Sequence, residues 1–243
     1  MPDRFLTLTR RGLAATALAL AAIPAAEAQT AGDPLPSWRD GQAKQSILAF
    51  VQRVTRRGTP DYRPRAERVA VFDNDGTLWV EQPLYTQFAF AIDRLREMAK
   101  RDPTLAERDP FQAALAGDLG AVLAGGEKGL AEIIAVTHAG MSQEAFTGIV
   151  VAWLGTARHP RFDRPYTELI YQPMLEVMRL LRREGFQVWI VTGGGQEFVR
   201  AFSAATYDVQ IGNVVGSIGK TEFRRGSESA IFGSHRRAKS AGL

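Results

Sequence analysis

At 243 residues with 45% hydrophobic side chains, the chain can bury one substantial core or a core with an inserted segment. It contains no cysteine, which excludes disulfides and thiolate metal sites. The net charge of +4 would suit nucleic acid, but residues 224–243 hold Arg224, Arg225, Arg236, Arg237 and Lys239 against Glu228 alone. That leaves residues 29–223 close to neutral and removes the main support for nucleic-acid binding.

Arg4, Arg10 and Arg11 precede an apolar run over residues 13–23, and Ala26-Glu27-Ala28 supplies small residues for cleavage. Residues 1–28 therefore read as an export signal. Thr9-Arg10-Arg11-Gly12-Leu13 resembles a twin-arginine signal, which implies export of a folded protein to the periplasm. The apolar run is too short for a stable membrane anchor. Gly32, Pro34 and Pro36 mark a linker. Ile47, Leu48, Val51 and Val54 predict a helix over 42–55, ended by Pro60 and Pro64. Residues 68–72 are a short valine-rich run that suits a buried parallel strand.

Beyond Pro83, the stripe Phe88, Ala91, Ile92, Leu95, Met98 and Ala99 predicts an amphipathic helix. Asp109-Pro110 reads as an N-cap followed by proline at the first helical position. Further helical stretches cover 128–136 and 142–154, with no strand-like alternation between them. The interval 84–165 is thus expected to be a helical insertion. Pro173 opens another helix, Gly185 ends it, and residues 186–191 form an apolar strand running into Gly193-Gly194-Gly195. Helix, glycine, apolar strand, glycine-rich turn and helix are the rhythm of a doubly wound, Rossmann-like α/β sheet, which binds ligands at the carboxyl ends of its strands. The expected division is 29–83 and 166–223 for the core, 84–165 for a helical cap, and 224–243 for an atypical basic tail.

Chemistry concentrates in Val71-Phe72-Asp73-Asn74-Asp75-Gly76-Thr77-Leu78, where a strand delivers two carboxylates into a glycine turn. If the strand ends at Asp73 and the chain bends, both acids converge on one ligand, with nucleophile and proton-transfer roles open to Asp73 and Asp75. A calcium loop of EF-hand type fails because Thr77, Leu78 and Leu84 occupy required ligand and glycine positions. Gly216-Ser217-Ile218-Gly219-Lys220-Thr221 mimics a nucleotide-binding loop, but Val214 stands where its first glycine is required. His138, His159 and His235 share no ligand spacing and read as surface or packing residues.

The first stretch resembles the leading signature of the haloacid dehalogenase superfamily, whose phosphatase members carry Asp-x-Asp-Gly-Thr after an apolar run. The strand ending in Val191-Thr192-Gly193 resembles the second signature, and the pattern is nearest to phosphoserine-phosphatase-like members. That resemblance implies a Rossmann-like core with a helical cap between the two signatures. It also implies a phosphomonoesterase in which Asp73 attacks phosphorus and Asp75 transfers the proton. Mg²⁺ would be held by Asp73 and the main-chain carbonyl of Asp75, and Thr192 and the Gly193 amide would bind a phosphate oxygen. Lys220 fits the third signature, an ammonium that neutralises the nucleophile and phosphate. The fourth, a distal acidic cluster, is unmatched, because His235-Arg236-Arg237 follows the strand-like Ala230-Ile231-Phe232. The expected partner is a small phosphorylated substrate. The alternatives are a non-catalytic phosphoryl-ligand binder and an inactive chain with an altered C-terminal end.

Overall fold

The computed structural model describes residues 32–223 and 230–232. The expected export signal over 1–28 and nearly all of the basic tail lie outside those residues. Residues from Pro34 onward cluster as one unit. Among the described residues, no helix is long and apolar enough to cross a membrane.

Three parallel strands form the central sheet in the order β1-β2-β3: β1 (Val69–Phe72), β2 (Gln187–Gly195) and β3 (Val214–Ser217). β1 pairs with β2 from Val69↔Gln187 to Phe72↔Ile190. β2 then pairs with β3 at Ile190↔Val214, with an irregularity before Gly195↔Ser217. That irregularity falls at the glycine triplet, which ends the strand immediately before the next helix. A short antiparallel pair, β4 (Thr221–Phe223) and β5 (Ala230–Phe232), follows.

Side chains alternate across the central strands. Phe72, Val188, Ile190 and Val214 point into the core, whereas Val69, Val71, Val191 and Val215 lie on the opposite face and stay exposed. Among the described residues, α7 (Gln172–Arg183) and α8 (Gln196–Tyr207) pack against the sheet. The valines of the other face have no comparable cover, Val71 being 59% exposed.

Between β1 and β2 the chain forms α2 (Thr86–Ala99), α3 (Phe111–Ala116), α4 (Leu119–Ala124), α5 (Gly126–His138) and α6 (Gln143–Thr156). Two apolar clusters result. Phe88, Ala91, Ile92 and Leu95 of α2 join Phe111 and Ile133 in one, and Phe90 of the same helix joins Phe146, Phe198 and the strand residues in the other. The predicted α2 stripe is therefore not the whole of its buried surface. Phe90 also belongs to the core, and it meets Phe146 edge-on at 5.9 Å between ring centroids. Asp109-Pro110 departs from its expected role: Pro110 itself is the N-cap of α3, with helical geometry starting at Phe111. Ser142 caps α6 by accepting a hydrogen bond from the Ala145 amide.

The segment ahead of α1 (Gln42–Thr55) is fastened to α7. Leu35 is fully buried, the Trp38 indole donates to the Pro173 carbonyl at 2.9 Å, and Ser37 donates its amide and hydroxyl to the two oxygens of Glu176. Burial disfavours the Glu176 carboxylate, but the bonds from Ser37 and Gln172 and the nearby Arg179 outweigh that and hold its pKa below the usual value.

Candidate active site

β1 ends at Phe72, and the chain turns at once. The Asn74 carbonyl accepts from the amides of Thr77, Leu78 and Trp79, and the Gly76 amide donates back to the Trp79 carbonyl. Gly76 has φ +70°, a conformation that favours glycine, and a Cβ there would lie 2.7 Å from the Glu81 carboxylate, which would have to move aside. The turn brings Asp73 and Asp75 into one cavity of about 450 Å³, together with Glu81, Thr192, Gly193 and Gly194. These residues come from sequence positions more than a hundred apart, and the parallel pairing of β1 with β2 places them side by side.

The two aspartates have different surroundings. Asp73 is exposed, and one of its oxygens accepts the Asn74 amide at 2.7 Å. Asp75 is half-buried, and its Oδ1 accepts the Trp79 indole N–H at 2.8 Å. Desolvation raises the Asp75 pKa, the Trp79 bond opposes the rise, and the neighbouring charges of Asp73 and Glu81 reinforce it. Trp79 is itself immobilised, fully buried and stacked on Phe202 at 4.5 Å. One acid is thus open to a ligand, and the other is biased toward holding a proton.

Thr192 is buried at the end of β2, and its hydroxyl oxygen accepts the Gly194 amide at 3.0 Å. A Cβ on Gly194 would sit 3.6 Å from Asp75 Oδ2, which shows how closely this turn faces the acids. Gly195 is the N-cap of α8, so the cavity floor meets the start of a twelve-residue helix. The ceiling is largely apolar, supplied by Leu84, Phe88, Leu130 and Ile134 of the inserted helices. Lys220 does not line this cavity. It borders a second one of about 440 Å³, which shares Gln87, Ile134, Gly193 and Gly194 with the first.

Glu81, Gln87 and His138 are site residues that sequence reading missed. Glu81 could have been noticed as an acid close behind the aspartate motif. Gln87 and His138 had no such signal, because only the fold of the insertion brings α2 and α5 to the glycine triplet. Carboxylate and carbonyl oxygens suit a hard divalent cation, and Mg²⁺ in particular needs few protein ligands because it retains water. The carboxylates of Asp73, Asp75 and Glu81 around the cavity supply oxygen donors of that kind. Among the described residues, no three acidic or histidine side chains are gathered closely enough to hold a metal alone.

No curated protein matches the sequence. Among solved structures, a phosphoserine phosphohydrolase-like protein from Francisella tularensis is similar at 17% identity, with a TM-score of 0.34 over 68% of this chain. A functionally uncharacterised protein from Anaerococcus prevotii is similar at 14% identity and TM-score 0.46, covering 78% of this chain and 70% of its own. Cytosolic 5'-nucleotidase IIIB bound to cytidine is similar at 16% identity and TM-score 0.36, covering 83% of this chain and 64% of its own. The chain spans 62% of the length of the first of these structures. A family model for the haloacid dehalogenase-like hydrolases matches residues 70–241, a span that takes in the aspartate turn, the inserted helices and the Thr192 turn. With both strand-end motifs meeting in one cavity inside that span, the chain belongs to the haloacid dehalogenase-like hydrolase family.

Proposed function

We propose that the protein is a Mg²⁺-dependent phosphomonoesterase that acts on a small phosphorylated substrate through an aspartyl phosphate on Asp73. The observation that carries this reading is the pairing of an exposed Asp73 with a half-buried Asp75 of raised pKa in one cavity. An Asp73 oxygen bonds to phosphorus while the ester P–O bond breaks, and Asp75 gives its proton to the leaving oxygen. Water then attacks the phosphorylated carboxylate, Asp75 takes the water's proton, and the Asp73–phosphorus bond breaks to release phosphate. Thr192 and the Gly193 amide hold phosphoryl oxygens, helped by the N-terminal end of α8. Held by Asp73 and the Asp75 carbonyl, Mg²⁺ would offset the repulsion between the anionic nucleophile and the anionic ester. Lys220 adds positive charge from the adjoining cavity. Residues 84–165 act as the cap over the core, and the signal-like start of the sequence supports export to the periplasm.

A second reading, a phosphoryl-ligand binder without turnover, is favoured by one observation. Although Asp73, Asp75 and Glu81 share a cavity, no three acidic or histidine side chains among the described residues are placed to hold a metal together. Phosphate release from p-nitrophenyl phosphate, with and without Mg²⁺ and beside Asp73→Asn, separates the two. Metal-dependent release that the substitution abolishes is expected. A folded protein that binds phosphate without releasing any from the ester would establish the binder instead.

A further inference from the structure

Gln87, the second residue of α2, reaches out of the inserted helices and into the glycine turn of the core. Its Oε1 accepts the Gly195 amide at 2.7 Å, and its Nε2 lies 3.1 Å from His138 Nε2 at the end of α5. The directions of the hydrogen bonds linking Thr137, His138, Gln87 and Gly195 follow from one another. The Thr137 hydroxyl donates to the Ile133 carbonyl at 2.7 Å, so its oxygen is free to accept from His138 Nδ1 at 2.9 Å. With the proton on Nδ1, His138 Nε2 is an acceptor and takes a proton of the Gln87 amide. Turning the amide over would set donor against donor at Gly195 and leave the ring nitrogen facing an oxygen lone pair.

The glycines opposite confirm how tight this contact is. Gly195 has φ −67° and ψ 123°, a conformation any residue adopts, so the backbone does not demand glycine there. A Cβ would instead lie 2.5 Å from Gln87 Nε2, and one on Gly194 would lie 3.3 Å from Gln87 Oε1. The missing side chains make room for a side chain from the cap. His138 is clamped in turn, edge-on to Phe90 at 5.6 Å and against Phe146 at 4.7 Å. Burial, reinforced by Arg94 and only partly opposed by the Ile134 carbonyl, lowers its pKa to about 4. The ring is therefore neutral near pH 7, as the assigned bonds require. Glu197 and Lys220 border the same cavity.

We propose that Gln87 is a positioning residue that locks α5, through His138, to the Thr192–Gly195 segment and so fixes the backbone that presents the Thr192 hydroxyl and the Gly193 amide to a phosphoryl group. Thr192 and Gln87 then hold successive amides of one turn, Gly194 from the core side and Gly195 from the cap side. This rests on the phosphoryl reading of the cavity for its ligand, while the lock itself is independent of turnover.

The test is NMR on the full-length protein, following the Gly195 amide and the His138 ring during titration with inorganic phosphate. Gln87→Met keeps the volume but can neither donate nor accept. It is expected to shift the Gly195 amide and weaken phosphate about tenfold while the protein stays folded, the size of effect one lost hydrogen bond produces. Gln87→Glu still accepts from Gly195 but cannot donate to His138 Nε2. It is expected to raise the His138 pKa well above about 4, because a protonated ring restores the missing hydrogen and meets a negative charge. Unchanged phosphate affinity and an unmoved Gly195 amide in folded Gln87→Met would overturn the proposal. So would a His138 titration identical in Gln87→Glu and the parent. If both variants perturb His138 and Gly195 as expected but the parent binds no phosphate, the lock stands and the phosphoryl reading fails.

Discussion

Asp75 differs from Asp73 in what surrounds it, and under the proposed mechanism that difference separates an acid from a nucleophile. Desolvation, with Asp73 and Glu81 nearby, raises its pKa, so the proton needed for departure of the leaving group is retained to higher pH than on an ordinary aspartate. Activity toward alkyl phosphates should therefore fall on the alkaline side of that raised pKa. Asp75→Asn should reduce turnover of an alkyl phosphate by roughly 10²–10⁴-fold, the usual worth of a positioned general acid. The kcat/KM for p-nitrophenyl phosphate should suffer less, since its leaving group departs without needing a proton and kcat/KM does not include the later attack by water, in which Asp75 acts as base on either substrate. Equal losses in kcat/KM on both substrates would remove Asp75 from the acid role. Trp79 acts through Asp75: its indole bond fixes the carboxyl and tempers the rise in pKa.

At the scale of elements, α2 and α7 carry more than their sequence patterns suggest. α2 faces two cores at once and also delivers Gln87, so its polar positions are not simply the solvated side of an amphipathic helix. α7 holds the 35–38 segment through Glu176. A carboxyl whose folded pKa lies below its unfolded value contributes stability above the unfolded value and loses it as pH falls through the folded one. Glu176→Gln should flatten the acid side of a stability-against-pH profile measured by urea unfolding. Glu176→Ala should cost about 1–3 kcal/mol at pH 7, the penalty for leaving two Ser37 donors without their charged acceptor. Identical acid profiles for Glu176→Gln and the parent would show that the contact contributes nothing.

Across the molecule, the described residues cover one apolar face of the sheet and leave the other exposed. Val69, Val71, Val191 and Val215 form a larger exposed apolar surface than scattered single residues would, and such patches bind apolar dyes. The native protein should enhance the fluorescence of an anilinonaphthalene sulfonate dye at pH 7. Val71→Thr with Val191→Thr should lower that signal and leave the urea midpoint nearly unchanged, because threonine keeps the β-branched shape preferred in strands. A parent protein that fails to bind the dye would show that this face is covered in solution.

The α/β class, the helix over 42–55, the strand leading to Asp73 and the helix opened by Pro173 were legible in the sequence, because each rests on local periodicity, on proline and glycine, or on a short motif read within a few residues. The same holds for Asp73, Asp75, Thr192 and Gly193, which lie beside strand ends. The placement of Lys220 in the adjoining cavity, the second buried face of α2 and the Gln87–His138 link were not legible. They depend on which helices of the insertion meet the glycine turn, a matter of packing between residues far apart in the chain. Motif and periodicity thus singled out Asp73, Asp75, Thr192 and Gly193, which line one cavity. Only the tertiary structure decided their protonation and partners, because burial, neighbouring charge and hydrogen-bond direction arise when distant segments close on one another.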